Sequence, residues 1–362
     1  MSQVKENRYV QYFCNVADDN LQTFIHSSSL SKIRQRFGIA GFIFIESEIF
    51  NLLHSANIIK NDAALIDSTV LPSNIVYPTD IGLIFKAFGK MEQFSKRHAI
   101  APWWDVKEVK ALFREYNLNK DKNKIHEYIL EFGIIFYDAM QLFEDKVKEF
   151  AASETDNPED HELLQLLKQL EEQNEQKIAG KKHIKDRIVS LENPEARPIK
   201  KGKKHPNCEF GSTLQLSFNR QGFMITTENF IGKPNDKTLW PETNRLFIKR
   251  MHSAPEHAIG DQGFRSRANL SIPKGAKHIF LGKSDDVTEE KKEYCRKARS
   301  ATEGFIAVAK NLRGFGRCLY KGFAGDRIWT LLCQAASHLK KFSLLYSNDK
   351  IEEESLIKLR LG

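Results

Sequence analysis

Ala63-Ala-Leu-Ile-Asp67-Ser-Thr-Val-Leu71 is a short apolar run broken by one acid and closed by Pro72. Its length, its β-branched content and the proline that ends it predict a buried strand. A carboxylate inside such a strand is disfavoured by several kcal/mol, as an order of magnitude, unless it has a partner. Asp67 is therefore expected to be paired, hydrogen-bonded or bound to a metal. On the residues alone, a structural role and a ligand role both stand.

Downstream of this run, from about Thr79 to Leu191, the pattern is helical. Tyr128, Phe132, Phe136, Ala139, Phe143, Val147 and Phe150 recur at steps of three and four, a core stripe. Glu159 to Ile178 sets Leu163, Leu167, Leu170 and Ile178 on one side, as an amphipathic hairpin arm does, and leaves Glu171, Glu172 and Glu175 to a solvated face. Pro194 and Pro198 then bracket a loop leading into Lys200, Lys201, Lys203 and Lys204, which reads either as a phosphate-binding loop or as a solubilising surface segment.

Strand patterns resume after Gly211. Ser212 to Phe218 alternates, Gln221-Gly222 marks a turn, and Phe223 to Phe230 returns, which predicts a hairpin. A helical stretch from Asp236 to Arg250 leads to His257-Ala-Ile-Gly-Asp261, a short strand with an acid at its end. Ala276 to Leu281 reads as another strand, and Thr288 opens a long helix. Upstream, residues 7 to 60 read as short helices. There Leu30, Ile33 and Phe37 keep helical spacing, so Lys32, Arg34 and Arg36 are either a DNA contact or the wet face of a packed helix.

Within the last helix, Arg299-Ser-Ala-Thr-Glu303-Gly-Phe-Ile-Ala-Val-Ala-Lys310 puts one carboxylate between two cations. At about 100° per residue the three lie within roughly 40° of one another, and Arg296 joins the same face. Taken by itself, this spacing fits any solvated helix. With an acid held in a strand and another at a strand end, it fits a divalent-metal ligand flanked by phosphate contacts.

The chain has 362 residues, 41% of them hydrophobic, enough for two or three structural units. Its 55 Lys and Arg against 47 Asp and Glu give +8, a balance that suits a polyanion but is shared by ribosomal and membrane-surface proteins. No unbroken apolar run of membrane-spanning length and no signal-peptide pattern is visible, so a cytoplasmic protein with no membrane partner is expected. The five scattered cysteines have neither zinc spacing nor a Cys-x-x-Cys pair, and reduced thiols are expected.

Strand, large helical insertion, hairpin, helix, strand, strand, helix fits an α/β fold in which a mixed sheet is flanked by helices, the arrangement of ribonuclease H-like nucleases. Asp67, Asp261 and Glu303 in these contexts resemble the acidic triad of bacterial insertion-sequence DDE transposases of the Y-R-E-K signature group. Asn74-Ile-Val-Tyr-Pro-Thr-Asp80, Glu209-Phe-Gly211 and Arg317-Cys-Leu-Tyr-Lys-Gly-Phe-Ala-Gly-Asp326 resemble the same family in matching order. Together the motifs cover nearly the whole chain. One departure is plain: where the family carries tyrosine three positions before the arginine, this chain has Arg296, with Tyr294 two residues earlier.

The resemblance implies an N-terminal helical DNA-binding region over 1–62, shortened at its amino end, and a first catalytic strand within 63–80. It implies a helical insertion over 81–195, the rest of the catalytic domain over 196–342 and a tail over 343–362. It further implies two Mg2+ ions per site, replaceable by Mn2+, held by Asp67, Asp261 and Glu303, with Asp67 bridging both. Arg299, Lys310, Arg296, Lys200, Lys201, Lys203 and Lys204 would contact double-stranded DNA, both terminal inverted repeats and target. A homodimer would hold two ends in a synaptic complex, in the bacterial cytoplasm at the nucleoid. The alternative is a truncated, transposase-derived DNA-binding protein that inhibits without catalysis.

Other residues draw plainer expectations. Asp80, Glu209 and Asp326 read as capping, loop-fixing or salt-bridge acids, and His205 and His257 as structural histidines. Trp103 and Trp104 read as core or as a stacking platform for an unpaired base, and Trp240 and Trp329 as core.

Overall fold

The computed structural model describes residues 27–119, 121–152, 156–200, 208–282 and 288–361. They form two compact units, one from residues up to Ile59 together with those from Thr330 on, the other Lys60–Trp329.

The larger unit is a mixed α/β body around an open sheet of six strands. The apolar run at Ala63–Pro72 forms β1, with Ala63 to Ile66 and Val70 to Leu71 buried. Next come the helices of the insertion, α2 (Asp80–Arg97), α3 (Val106–Leu118), α4 (Lys122–Ala151) and α5 (Pro158–Ile178), α1 being the helix of the other unit described below. The sheet continues with β2 (Arg197–Lys200), β3 (Cys208–Phe218) and β4 (Met224–Ile231), then α6 (Asp236–Met251), β5 (His257–Gly260), β6 (His278–Leu281) and α7 (Glu289–Leu312).

β3 pairs antiparallel with β1 on one edge, and with β4 and β2 on the other. On its far side β1 pairs parallel with β5, and β5 pairs parallel with β6. An antiparallel hairpin thus continues the sheet on one side of β1 and two parallel strands on the other. The hairpin turn needs Gly222, which sits at φ 82°. β2 corrects the sequence reading: Pro198 and Lys200 lie in a short strand, not in a loop. Pro198 is exposed there, where its missing N–H does little harm.

The insertion helices start on side-chain caps. Thr79 accepts from the Gly82 amide at 3.0 Å, Asp105 from Lys107 and Glu108, and Asn157 from Glu159. Their shared core holds Met91, Phe94, Phe132, Phe136, Phe143 and Leu167. Trp103 and Trp104 pack against that core, and the Trp103 indole donates to the Ala139 carbonyl at 2.8 Å, so both are packing residues. Trp240 is fully buried, whereas Trp329 is half-buried and donates to Gly314 O at 2.8 Å. Glu171 is not on a solvated face as expected: burial pushes its carboxyl up to about 7.

In the smaller unit, α1 (Ser27–Ser55) is broken at Gly38, whose φ is 56°. The segment Ser28–Ser55 is long and apolar enough by length and composition to cross a membrane, although two acids interrupt its apolar run. One of them, Glu46, is 2% exposed and lies 3.6 Å from His338 Nδ1, on the stretch of α8 (Gly322–Ser347) that belongs to the same unit. α9 (Glu353–Leu361) packs on α1.

Candidate active site

The parallel register of β1 and β5 pairs Leu65 with Ile259. Two residues further on come Asp67, within β1, and Asp261, one residue past the end of β5 in extended backbone, so the period of two carries both acids to the same side. α7 packs against both strands and carries Glu303. All three acids line one cavity of about 760 Å³. Three elements far apart in sequence therefore deliver the acids singled out from the sequence to one place.

Lys310, two turns after Glu303 on α7, lines the cavity and lies 3.5 Å from Glu209, which lines it too. Lys200 reaches it from the end of β2. Arg299 and Arg296 do not line it. Arg296 pairs with Glu293 at 2.5 Å on the helix surface and its side chain is 78% exposed. Lys201, Lys203, Lys204 and His205 lie outside the described residues. Tyr294, the nearest tyrosine to the family's position, packs against His257 at the end of β5 opposite Asp261, and Arg220 stacks on its ring.

Two charged cavity residues escaped the sequence reading, Asp236 and Lys233. Asp236 is the first residue of α6, which packs against β1, β3 and β4. Helix capping there falls to Asn235, whose side chain accepts from the Lys237 amide, and this leaves the Asp236 carboxylate to the cavity. The available signal was Lys233-Pro-Asn-Asp236, a helix start with one acid more than capping needs.

Burial and the neighbouring acids raise the central carboxylates. Burial above all, then the charges of Asp261, Asp236 and Glu303, push the Asp67 carboxyl from 3.8 to about 6, against a hydrogen bond from the Ser68 amide to Asp67 Oδ1 at 2.7 Å. Burial and then the Asp261 charge raise Asp236, opposed by Lys233 and the Ser68 hydroxyl. Among the described residues no lysine or arginine forms an ion pair with Asp67, Asp236, Asp261 or Glu303.

The donor chemistry suits a hard divalent cation. Asp67, Asp236, Asp261 and Glu303 offer only carboxylate oxygens, with no thiolate or imidazole among the cavity residues. Gly263 leaves room for them: a β-carbon there would meet Asp236 Oδ2 at 2.9 Å and Asp261 Oδ1 at 3.0 Å. The acids do not close into a cage, and among the described residues no three His, Cys, Asp or Glu converge tightly enough to hold an ion unaided. An open set of this kind fits magnesium, which keeps waters and takes substrate oxygens.

The structural acids behave as expected. Asp80 pairs with Arg187 at 2.6 Å. Asp326 is buried and hydrogen-bonds Ser212 and Cys318, while the Cys318 amide donates to Pro72 O at 2.7 Å, so the Arg317–Asp326 segment ties down the ends of β1 and β3. Cys208, Cys295, Cys318 and Cys333 are free thiols.

None of the family models, curated proteins or solved structures compared with the chain matches it.

Proposed function

We propose that the chain is a DDE transposase of ribonuclease H-like fold, which cleaves DNA at the ends of an insertion sequence and joins the freed 3′-hydroxyl to target DNA. The observation that carries this reading is the gathering of Asp67, Asp261 and Glu303, without cationic partners among the described residues, in one lysine-rimmed cavity. The sheet order supports it: a hairpin on one side of β1, two parallel strands on the other, and acids on β1, just after β5 and on the following helix.

Asp67, Asp261 and Glu303 would hold Mg2+ or Mn2+. When bound, the ions supply an activated water or 3′-hydroxyl and charge stabilisation at the scissile phosphate. Asp67 contributes a carboxylate fixed on β1, which is paired on both edges, by β3 and by β5, so its position survives substrate exchange. Lys200, Lys233 and Lys310 rim the cavity and meet DNA phosphates, where ammonium groups act as movable point charges. A second copy of the chain would hold the second DNA end.

The test uses duplexes made from the DNA flanking the gene, a tagged target and Mg2+. Wild type is expected to join element ends to target, and Glu303→Gln to join none. Cleavage without joining would favour a nuclease of the same fold. Binding without cleavage would favour the non-catalytic DNA-binding protein.

A further inference from the structure

We propose that Asp236 is a fourth carboxylate of the cation site, acting with Asp261 over the bare α-carbon of Gly263. The inference rests on the metal-dependent reading above and adds a ligand that the triad does not contain.

Three geometric observations carry it. A single point above Gly263 lies 2.9 Å from Asp236 Oδ2 and 3.0 Å from Asp261 Oδ1, so the two carboxylates converge where any larger residue would intrude. Ser68 stands beside both acids: its amide donates to Asp67 Oδ1 at 2.7 Å, and its side chain lines the same cavity as Asp236. Finally, the ordinary duty of an acid at a helix start is already filled by Asn235, and no ion pair to Asp236 exists among the described residues. An acid serving only the dipole of α6 has no need to approach Asp261.

Oxygen-only donors assign the ligand to the magnesium and manganese class. With four acids the site gains negative charge, so it holds an ion more firmly before DNA completes the coordination.

Mn2+ binding to the full chain without DNA, followed by the loss of the free-ion EPR signal, tests this, with melting in EDTA as the folding control. Asp236→Asn is expected to weaken Mn2+ binding about tenfold, as loss of a supporting oxygen does, and Asp236→Glu to recover part of it. Should Asp236→Asn fail to fold, Gly263→Ala serves instead, because it displaces the carboxylates without removing charge and is expected to weaken binding likewise. Wild-type Mn2+ affinity in Asp236→Asn, with loss in Asp67→Asn, overturns the fourth ligand and leaves the three-acid reading standing. Unchanged affinity in both overturns both. A drop in Asp236→Asn alone supports the fourth ligand and overturns the site centred on Asp67.

Discussion

Asp67 on β1 and Asp261, just past the end of the parallel strand β5, each lie two residues beyond the paired Leu65 and Ile259. Neighbouring strands lie about 4.8 Å apart, so this register alone brings two carboxylates close together. The Asp261 charge, on top of burial, raises the Asp67 carboxyl.

Asp67 makes the protein without metal less stable as pH rises. Its folded value, about 6, exceeds its ordinary 3.8, so between these the native state binds a proton that the unfolded chain has lost. Stability from this group is fully present below 3.8 and is lost as pH passes 6. Asp67→Asn is therefore expected to melt higher than wild type in EDTA at pH 7.5, by at most about 3 kcal/mol, and to lose that advantage below pH 4. A variant less stable than wild type at pH 7.5 would count against the account.

Gly263→Ala is expected to spare stability and impair the site. A β-carbon would crowd the Asp236 carboxylate oxygen, a side-chain end that can swing aside, and the Asp261 oxygen that accepts from the Gly263 amide at 2.7 Å, a surface cap of one short turn. Melting in EDTA should change by less than about 0.5 kcal/mol, the ordinary range for a change away from the core, while DNA cleavage falls at least tenfold. Equal losses of stability and activity would point to a packing role.

Lys310→Ala should weaken DNA binding across all sequences and lower the magnitude of the slope of log affinity against log salt by about one, the signature of a lost phosphate contact. Lys310 also holds Glu209 at 3.5 Å, so Glu209→Gln separates the two roles. It should leave the salt slope unchanged if Lys310 faces phosphate, as proposed.

The insertion has its own polar anchor. Asp160 is 3% exposed and is held by Arg97 and by His98 Nε2, the latter at 2.7 Å. Asp160→Ala removes the acceptor of the buried His98 ring and of the exposed Arg97, and is expected to cost about 2 kcal/mol in denaturant melts while leaving Mn2+ binding unchanged.

The strands and the three acids were legible because their signals are local. Ala63–Leu71 is an apolar run with one misplaced acid, and His257–Asp261 ends on one. Asp236 was hidden by an ordinary explanation, since acids favour helix starts, and only the packing of α6 on β1 brings it near Asp261. Arg299 shares the angular stripe of Glu303 but does not line the cavity, which extends along the helix from Glu303 toward Lys310 and Asn311, whereas Arg299 lies one turn the other way. β2 was missed because prolines and lysines read as loop, and an edge strand tolerates both. Glu171 looked solvated because its neighbours Glu172 and Glu175 are.

The most direct measurement is the nicking of duplexes made from the DNA flanking the gene, compared between wild type and Asp67→Asn in Mg2+ and in Mn2+. The account predicts cleavage at the element end by wild type only, abolished by EDTA, with Asp67→Asn at least a thousandfold slower in either ion, about 4 kcal/mol of lost transition-state stabilisation. Cleavage by Asp67→Asn at the wild-type rate, or wild-type cleavage that survives EDTA, would contradict it.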